Sequence, residues 1–388
     1  MKIILKRLSV SHISVIILAV GSCYGFMRYA VSGETYIIPL FFSLLASLCA
    51  LHYNSRIWLT GLLASIACLF HQIHFFWWAG LFVYILITNK ERRCYAFFVY
   101  SLVSCIVPAV YLLVYYLTPN DASGFFDFIF YDYFHRSGVS FNIGLRSLYL
   151  TPVSLVRTFF QVHGYIVPLV MKHRILLLSA GAVVALLAFP VFKCKSLFRR
   201  ADVTSVEKKF GICHLLIFAL QLLFAAGSAG NAEFMVMLPF ALLLFCASRF
   251  RISVCYVPVA AGLFIWNLSF AVIPFHCLEM TPDKAVVRYI EQHPDRTYCL
   301  FDRQTAESTL RYRNPASVFH LYKGIDSLHP LLDRGVAVTT DFWSPRHLSR
   351  STILNDNKQV LPASVLINQD SIPYDLGTLI LSTIQIIM

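Results

Sequence analysis

Apolar and polar positions along this chain are arranged in long blocks. Apolar runs occupy Ser9 to Met27, Tyr36 to His52, Trp58 to Phe70, Phe75 to Thr88, Cys94 to Leu117, Ile175 to Phe192, Phe210 to Ala226, Phe234 to Cys246 and Ile252 to Phe275. The longest reach the roughly 20 apolar residues that a helix needs to cross about 30 Å of hydrocarbon. The pattern predicts a polytopic α-helical membrane protein, with about nine transmembrane helices over residues 1–275. From Thr281 the pattern changes. Thr281-Pro282-Asp283 reads as a capped helix start, and Val286, Val287 and Ile290 form a buried stripe behind it. Tyr298 to Phe301, Val336 to Thr340, Val365 to Asn368 and the run from Leu376 to Met388 read as strands, and Gln304 to Arg311 as a helix. Residues 276–388 are therefore expected to form a small carboxyl-terminal α/β domain.

Composition agrees with the pattern. Hydrophobic residues make up 58% of the chain and charged ones 13%, where a soluble globule carries about a quarter. The net charge of +12 comes from short basic clusters between apolar runs, which read as topology signals and not as a nucleic-acid surface. Lys2, Lys6 and Arg7, then Lys90, Arg92 and Arg93, then Lys193, Lys195, Arg199, Arg200, Lys208 and Lys209 fall on one side if the amino terminus is cytoplasmic. The carboxyl-terminal domain then falls outside. To keep this order, the apolar stretch 148–171, which carries Arg157, Gln161 and His163, is read as a re-entrant or interfacial helix. Compact loops without Asn-x-Ser/Thr sites lean towards a bacterial inner membrane. The eleven cysteines lack metal spacing and read as small hydrophobes; Cys277 and Cys299 either pair or remain free thiols.

Candidate chemistry lies where polar residues interrupt the apolar blocks. Glu34 sits in the first external loop near Arg28, Tyr29 and Tyr36; it either accepts a proton from an acceptor hydroxyl or is an interfacial partner of Arg28. His71 and Gln72 end the third apolar run and either bind a phosphate or sugar hydroxyl or satisfy a helix break. His71 and His74 are three apart without an acidic third ligand, so no metal or other cofactor is expected. The external loop 118–146 holds Asp121, Asp127, Asp132, His135 and Arg136 among many aromatics. Rings stack on sugar faces, carboxylates bind hydroxyls and an arginine neutralises phosphate, although such loops also serve simply as interfacial anchors. Glu233 opens the eighth run, either as a ligand or as a helix cap.

The run Tyr24-Gly25-Phe26 through Gly33-Glu34-Thr35-Tyr36-Ile37-Ile38-Pro39-Leu40, followed by Gly61-Leu62-Leu63 and Leu69-Phe70-His71-Gln72, resembles bacterial GT-C integral membrane glycosyltransferases. So does the order of spans, external loops and external tail. The resemblance implies transfer of a sugar from a polyprenyl-phosphate carrier to an acceptor glycan, lipid or protein, with inversion, in cell-envelope polysaccharide or glycoprotein assembly. It implies an external carboxylate as base and basic side chains around the carrier phosphate. On that pattern Glu34 is the catalytic carboxylate, with Asp127 and Asp132 as substitutes, and Arg28, His71, Gln72, His135, Arg136 and Glu233 bind substrate. The family places its acid in a first loop longer than the short one found here, so the matching region suggests missing opening helices. That departure leaves a truncated or noncatalytic relative as one alternative. A polysaccharide polymerase or lipid-linked glycan transporter, with His214 and Gln221 in mid-span, is another. The partners expected are the lipid-linked sugar, its acceptor and the bilayer, and no nucleic acid.

Overall fold

The computed structural model describes residues 10–30, 35–53, 55–131, 144–193, 201–250, 256–300, 303–323, 325–341 and 364–386. The chain is mostly helical and divides into two compact units. One comprises residues 1–166 and 174–272, the other residues 167–173 and 273–388.

Among the described residues, four helices are long and apolar enough to cross a bilayer: Lys90–Leu117, Ser205–Gly227, Ala232–Arg249 and Val257–Cys277, the last of which includes residues of both units. Ile37–His52, Ile57–Phe70, Gln72–Thr88 and Leu176–Pro190 are apolar but shorter. The first predicted span is broken into Val10–Gly21 and Tyr24–Ala30. The count of nine full-length spans is thus not reproduced. The reason is physical: polar or capping residues such as Ser22 and His71 stop apolar runs before they reach crossing length. The stretch read as re-entrant or interfacial forms two short helices, Leu145–Phe159 and Ile166–Lys172, separated by a break.

The bundle packs around Trp77, Leu81, Tyr84, Tyr100, Phe210 and Ile217, all fully buried. Ser205–Gly227 lies against Phe75–Thr88 so closely that a side-chain carbon added at Gly80 would run into Ile217. Its buried polar groups are paired across helices. The Trp77 indole donates to Ser47 Oγ at 2.9 Å, and Ser47 Oγ lies 3.0 Å from His214 Nε2. His214 Nδ1 faces the Phe210 carbonyl at 2.8 Å, so the ring proton belongs on Nδ1 and Nε2 accepts the serine hydroxyl. His214, the first residue expected of a transport path, is therefore committed to holding helices together.

Among the described residues, the second unit carries a five-stranded sheet in the order β2-β1-β3-β5-β4. β1 (Thr297–Leu300), β2 (His320–Lys323) and β3 (Val338–Thr340) are parallel, while β4 (Ser364–Tyr374) and β5 (Gly377–Ile386) form an antiparallel hairpin added to β3. The helix Asp283–Gln292 buries Val286, Val287 and Ile290 as the spacing predicts. Its cap position is Pro282 rather than Thr281, whose hydroxyl donates to Asp283 Oδ2 at 2.7 Å. β2 and the helix Ile325–Asp333 were not predicted. Cys277 is exposed, Cys299 is buried in β1, and no disulfide joins them. Lys172 joins this unit through Asp375, with Nζ 2.6 Å from its carbonyl and 3.2 Å from its carboxylate.

Candidate functional site

A strained turn fixes one corner of the helical unit. After Gly227 the chain passes through Ala229 at φ 55° and Gly230 at φ 70°. A side-chain carbon at Gly230 would lie 2.7 Å from the Thr151 nitrogen and 2.8 Å from the Leu150 carbonyl carbon, so the turn is pressed onto the backbone of Leu145–Phe159. Ala229 is the one non-glycine residue with positive φ among those described, the kind of backbone strain that surrounding structure must over-determine. Asn231 then caps the 3-10 turn Ala232–Met235, its Oδ1 accepting the Glu233 N–H at 3.0 Å. Gln221 Nε2 donates to the Phe234 carbonyl at 2.7 Å and pins the turn from below, while its Oε1 is buried without a partner.

Glu233 emerges from this turn toward three aromatic rings. The Tyr36 hydroxyl donates to Glu233 Oε2 over a long 3.4 Å. Tyr36 packs on His71, ring centres 4.7 Å apart, and edge-on against Tyr29 at 4.9 Å. The Arg28 guanidinium lies 5.2 Å from the centre of the Tyr29 ring and hydrogen-bonds Tyr24. Burial pulls the Arg28 pKa down, but the Tyr29 and Tyr24 phenols and Glu233 outweigh it, so the net shift is upward. Burial holds the His71 imidazole below the usual histidine value, opposed by the Glu233 carboxylate. Its Nδ1 accepts the Ile73 N–H at 3.3 Å, which closes the turn after Ile57–Phe70.

Arg157 completes the cluster from the last turn of Leu145–Phe159. Its guanidinium stands 6.0 Å from the Tyr24 ring centre, and its Nε is buried with no hydrogen-bond partner. Both Arg157 and Arg28 act on the Tyr165 phenol, and His163 is lowered by burial and then by Arg157. Two cationic forks thus share a phenolic wall, with Glu233 as the carboxylate acting on Arg28. A planar guanidinium with an unfilled donor suits a phosphate oxygen. A carboxylate beside a tyrosine and a histidine suits proton transfer.

Of the residues expected from sequence, Arg28, His71 and Glu233 come together. Gln72 turns elsewhere: its Nε2 donates to Tyr111 Oη at 2.9 Å and to the Ile129 carbonyl at 3.0 Å. Asp127 accepts the Ser123 N–H at 2.8 Å and its hydroxyl at 3.1 Å, which organises the start of the helix Phe125–Ile129. No described contact joins it to Glu233. Glu34, Asp132, His135 and Arg136 lie outside the described residues. Sequence reasoning missed Tyr24, Arg157 and Tyr165 as site members. The available signal was Arg157 itself, a lone charge in an apolar stretch. Among the described residues, no group of three His, Cys, Asp or Glu side chains gathers as a metal set. Compared with known proteins, the chain matches no protein-family model, no curated protein and no solved structure.

Proposed function

We propose that the chain is a membrane glycosyltransferase that moves a sugar from a polyprenyl-phosphate carrier to the hydroxyl of an acceptor glycan, lipid or protein. The observation that carries this reading is the meeting of Arg28, Arg157, His71, Tyr36 and Glu233 from separate segments of an apolar helical bundle. In this reading Glu233 takes the proton of the acceptor hydroxyl as its oxygen attacks the anomeric carbon. The bond from that carbon to the phosphate oxygen breaks with inversion, and Arg28 and Arg157 hold the negative charge left on the carrier. Glu34, two residues before Tyr36, is the second candidate base, and the exposed Phe126 and Phe130 offer faces for a sugar.

In this proposal the short apolar helices cross together with the breaks and turns that end them, so that with the four long helices the bundle makes about nine crossings. The basic clusters set its amino terminus in the cytoplasm and its carboxyl-terminal domain outside, in a bacterial inner membrane.

The test uses the full chain in proteoliposomes with a panel of hexosyl and pentosyl polyprenyl phosphates radiolabelled in the sugar and a mixture of glycan, glycolipid and protein acceptors, reading release of label from the carrier to an acceptor. Glu233→Gln is expected to slow release roughly 100-fold or more. Full activity in Glu233→Gln together with loss in Glu34→Gln would move the base to Glu34. Unchanged release after neutralising Glu34, Asp127, Asp132 and Glu233 in turn would remove all four as the base, and no release by the wild-type chain would mark a noncatalytic protein.

A further inference from the structure

We infer that Asn267 is the positioning residue of this cluster, the side chain that sets the segment bearing Arg28 and the segment bearing Arg157 relative to one another. Asn267 ends the helix Val257–Asn267 and is wholly buried. Its Nδ2 donates to the Ser22 carbonyl at 2.6 Å and to the Phe159 carbonyl at 2.7 Å. Its Oδ1 accepts the Gln161 N–H at 2.8 Å. Both amide hydrogens and the amide oxygen are therefore used, and each partner is a backbone group at a helix break. Ser22 lies between Val10–Gly21 and Tyr24–Ala30, just before Tyr24; Phe159 and Gln161 lie just past Arg157.

The same stretch holds the second break twice more. Trp266 Nε1 donates to the Gln161 carbonyl at 2.8 Å, and the Tyr165 hydroxyl donates to the Phe270 carbonyl at 3.0 Å. Phe270 sits where the helix widens into a π-helical turn over Leu268–Val272, a geometry that changes where carbonyls point. In an apolar bundle, backbone groups at a break must find partners inside the protein, and a polar side chain is the means of supplying them. Leucine would fill the space of Asn267 but leave two carbonyls and one N–H without bonds. Aspartate would set a carboxylate against two carbonyl oxygens. The residue is thus specified by the two breaks that it joins, and those breaks place Tyr24, Arg28, Arg157 and Tyr165.

This inference rests on the reading of Arg28 and Arg157 as ligands of the carrier phosphate, and its test separates the two. Full-length protein in nanodiscs is titrated with a polyprenyl monophosphate, comparing wild type, Asn267→Leu, Arg157→Gln and the double variant. Each single change is expected to weaken binding about tenfold and the double change no further, because Asn267 acts through Arg157. Losses that multiply in the double variant, or wild-type binding by Asn267→Leu, overturn the positioning role.

Amide exchange without ligand gives a second readout. Asn267→Leu is expected to speed exchange at Gln161 and across Cys23 to Arg28 together, and acceleration at one break alone overturns the inference. Should Asn267→Leu fail to fold, Trp266→Phe, which removes only the bond to the Gln161 carbonyl, is expected to give a loss of roughly threefold that is likewise absent in the Arg157→Gln background. Equal binding by wild type and Arg157→Gln overturns the carrier-phosphate reading, while the exchange experiment still decides whether Asn267 joins the two breaks.

Discussion

Both units bury apolar side chains, but they differ in what they leave outside and in the polar groups they take in. In the carboxyl-terminal unit Val287, Ile290, Leu310 and Leu381 are inside, and charged pairs such as Arg288 with Glu279 and Arg311 with Glu307 lie at the surface. In the helical unit His74, His214, Gln161, Gln221 and Asn267 are inside, while Leu102, Leu117, Leu178 and Phe192 face outward. Water rewards the first arrangement because apolar area is withdrawn from it. Hydrocarbon rewards the second, because there the polar groups must find partners within the protein. The same chain is therefore built for two solvents, and its candidate site is a place where polar groups of the second kind remain partly unpartnered.

Two exposed apolar side chains bring this contrast to its sharpest test. Leu102 is 74% exposed on the helix Lys90–Leu117, and Tyr312 is 88% exposed on the helix Arg303–Arg313. Lysine at position 102 is expected to cost about 3 kcal/mol of membrane insertion, the value for a charge in mid-helix. Lysine at position 312 is expected to change folding by less than about 0.5 kcal/mol, as at an ordinary wet surface. A membrane-integration assay on Leu102→Lys and a chemical-denaturation curve on Tyr312→Lys check the pair. Equal tolerance at both positions would mean that the two surfaces meet the same solvent.

The next effect in size lies within the helical unit. Gly230→Ala adds a side-chain carbon both to a left-handed backbone position and against the Thr151 nitrogen. It is expected to destabilise by about 2 kcal/mol or more, read as a lower melting temperature in detergent. It should also move Glu233, so tyrosine fluorescence from the Tyr29 and Tyr36 pair should change with it. An unaltered melting temperature would show that the turn can relax away from Leu150 and Thr151 at no cost.

The contrast also explains how much could be read from sequence. Blocks of apolar residues and the changed pattern after Thr281 gave the helical bundle and the added sheet, since burial periodicity is written locally. Helix lengths were less legible. The break after Gly21 depends on Ser22 bonding to Asn267, far along the chain, and the break after Phe159 depends on the same residue. Arg28, His71 and Glu233 stood out as polar interruptions and do converge. Arg157 stood out equally but was read as interfacial, because nothing local says that its guanidinium reaches Tyr24. Gln72 and Asp127 looked alike in sequence and are taken up by bonds to Tyr111 and Ser123. The four-residue β2 and the short helix Ile325–Asp333 after it carried too weak a period to be seen against their charged surroundings.

The smallest expected effect is a pH dependence confined to the unit built for water. There Asp370 accepts the Tyr289 hydroxyl and lies 3.2 Å from Arg296. The bond from Tyr289, and less so Arg296 and Asn368, hold the Asp370 carboxyl below its usual value against the opposing pull of burial. Burial and the Asp370 bond push the Tyr289 phenol up to about 12. The signs oppose one another. Stability from Asp370 is present above the unfolded carboxylate value of about 3.9 and is lost as pH falls through the lower folded value. Stability from Tyr289 is present below the unfolded phenol value of about 10 and is lost as pH rises toward the folded one. Amide exchange at Tyr298 and Leu300 in the full chain should therefore be protected on a plateau between the two and rise at both ends. Asp370→Asn should remove the acid-side rise, and because the carboxylate that helps to raise Tyr289 is gone, the alkaline rise should be smaller and level off at lower pH. A variant that keeps the wild-type profile at both ends would show that the charged surface of this unit is passive, and that only its apolar interior distinguishes it from the helical unit.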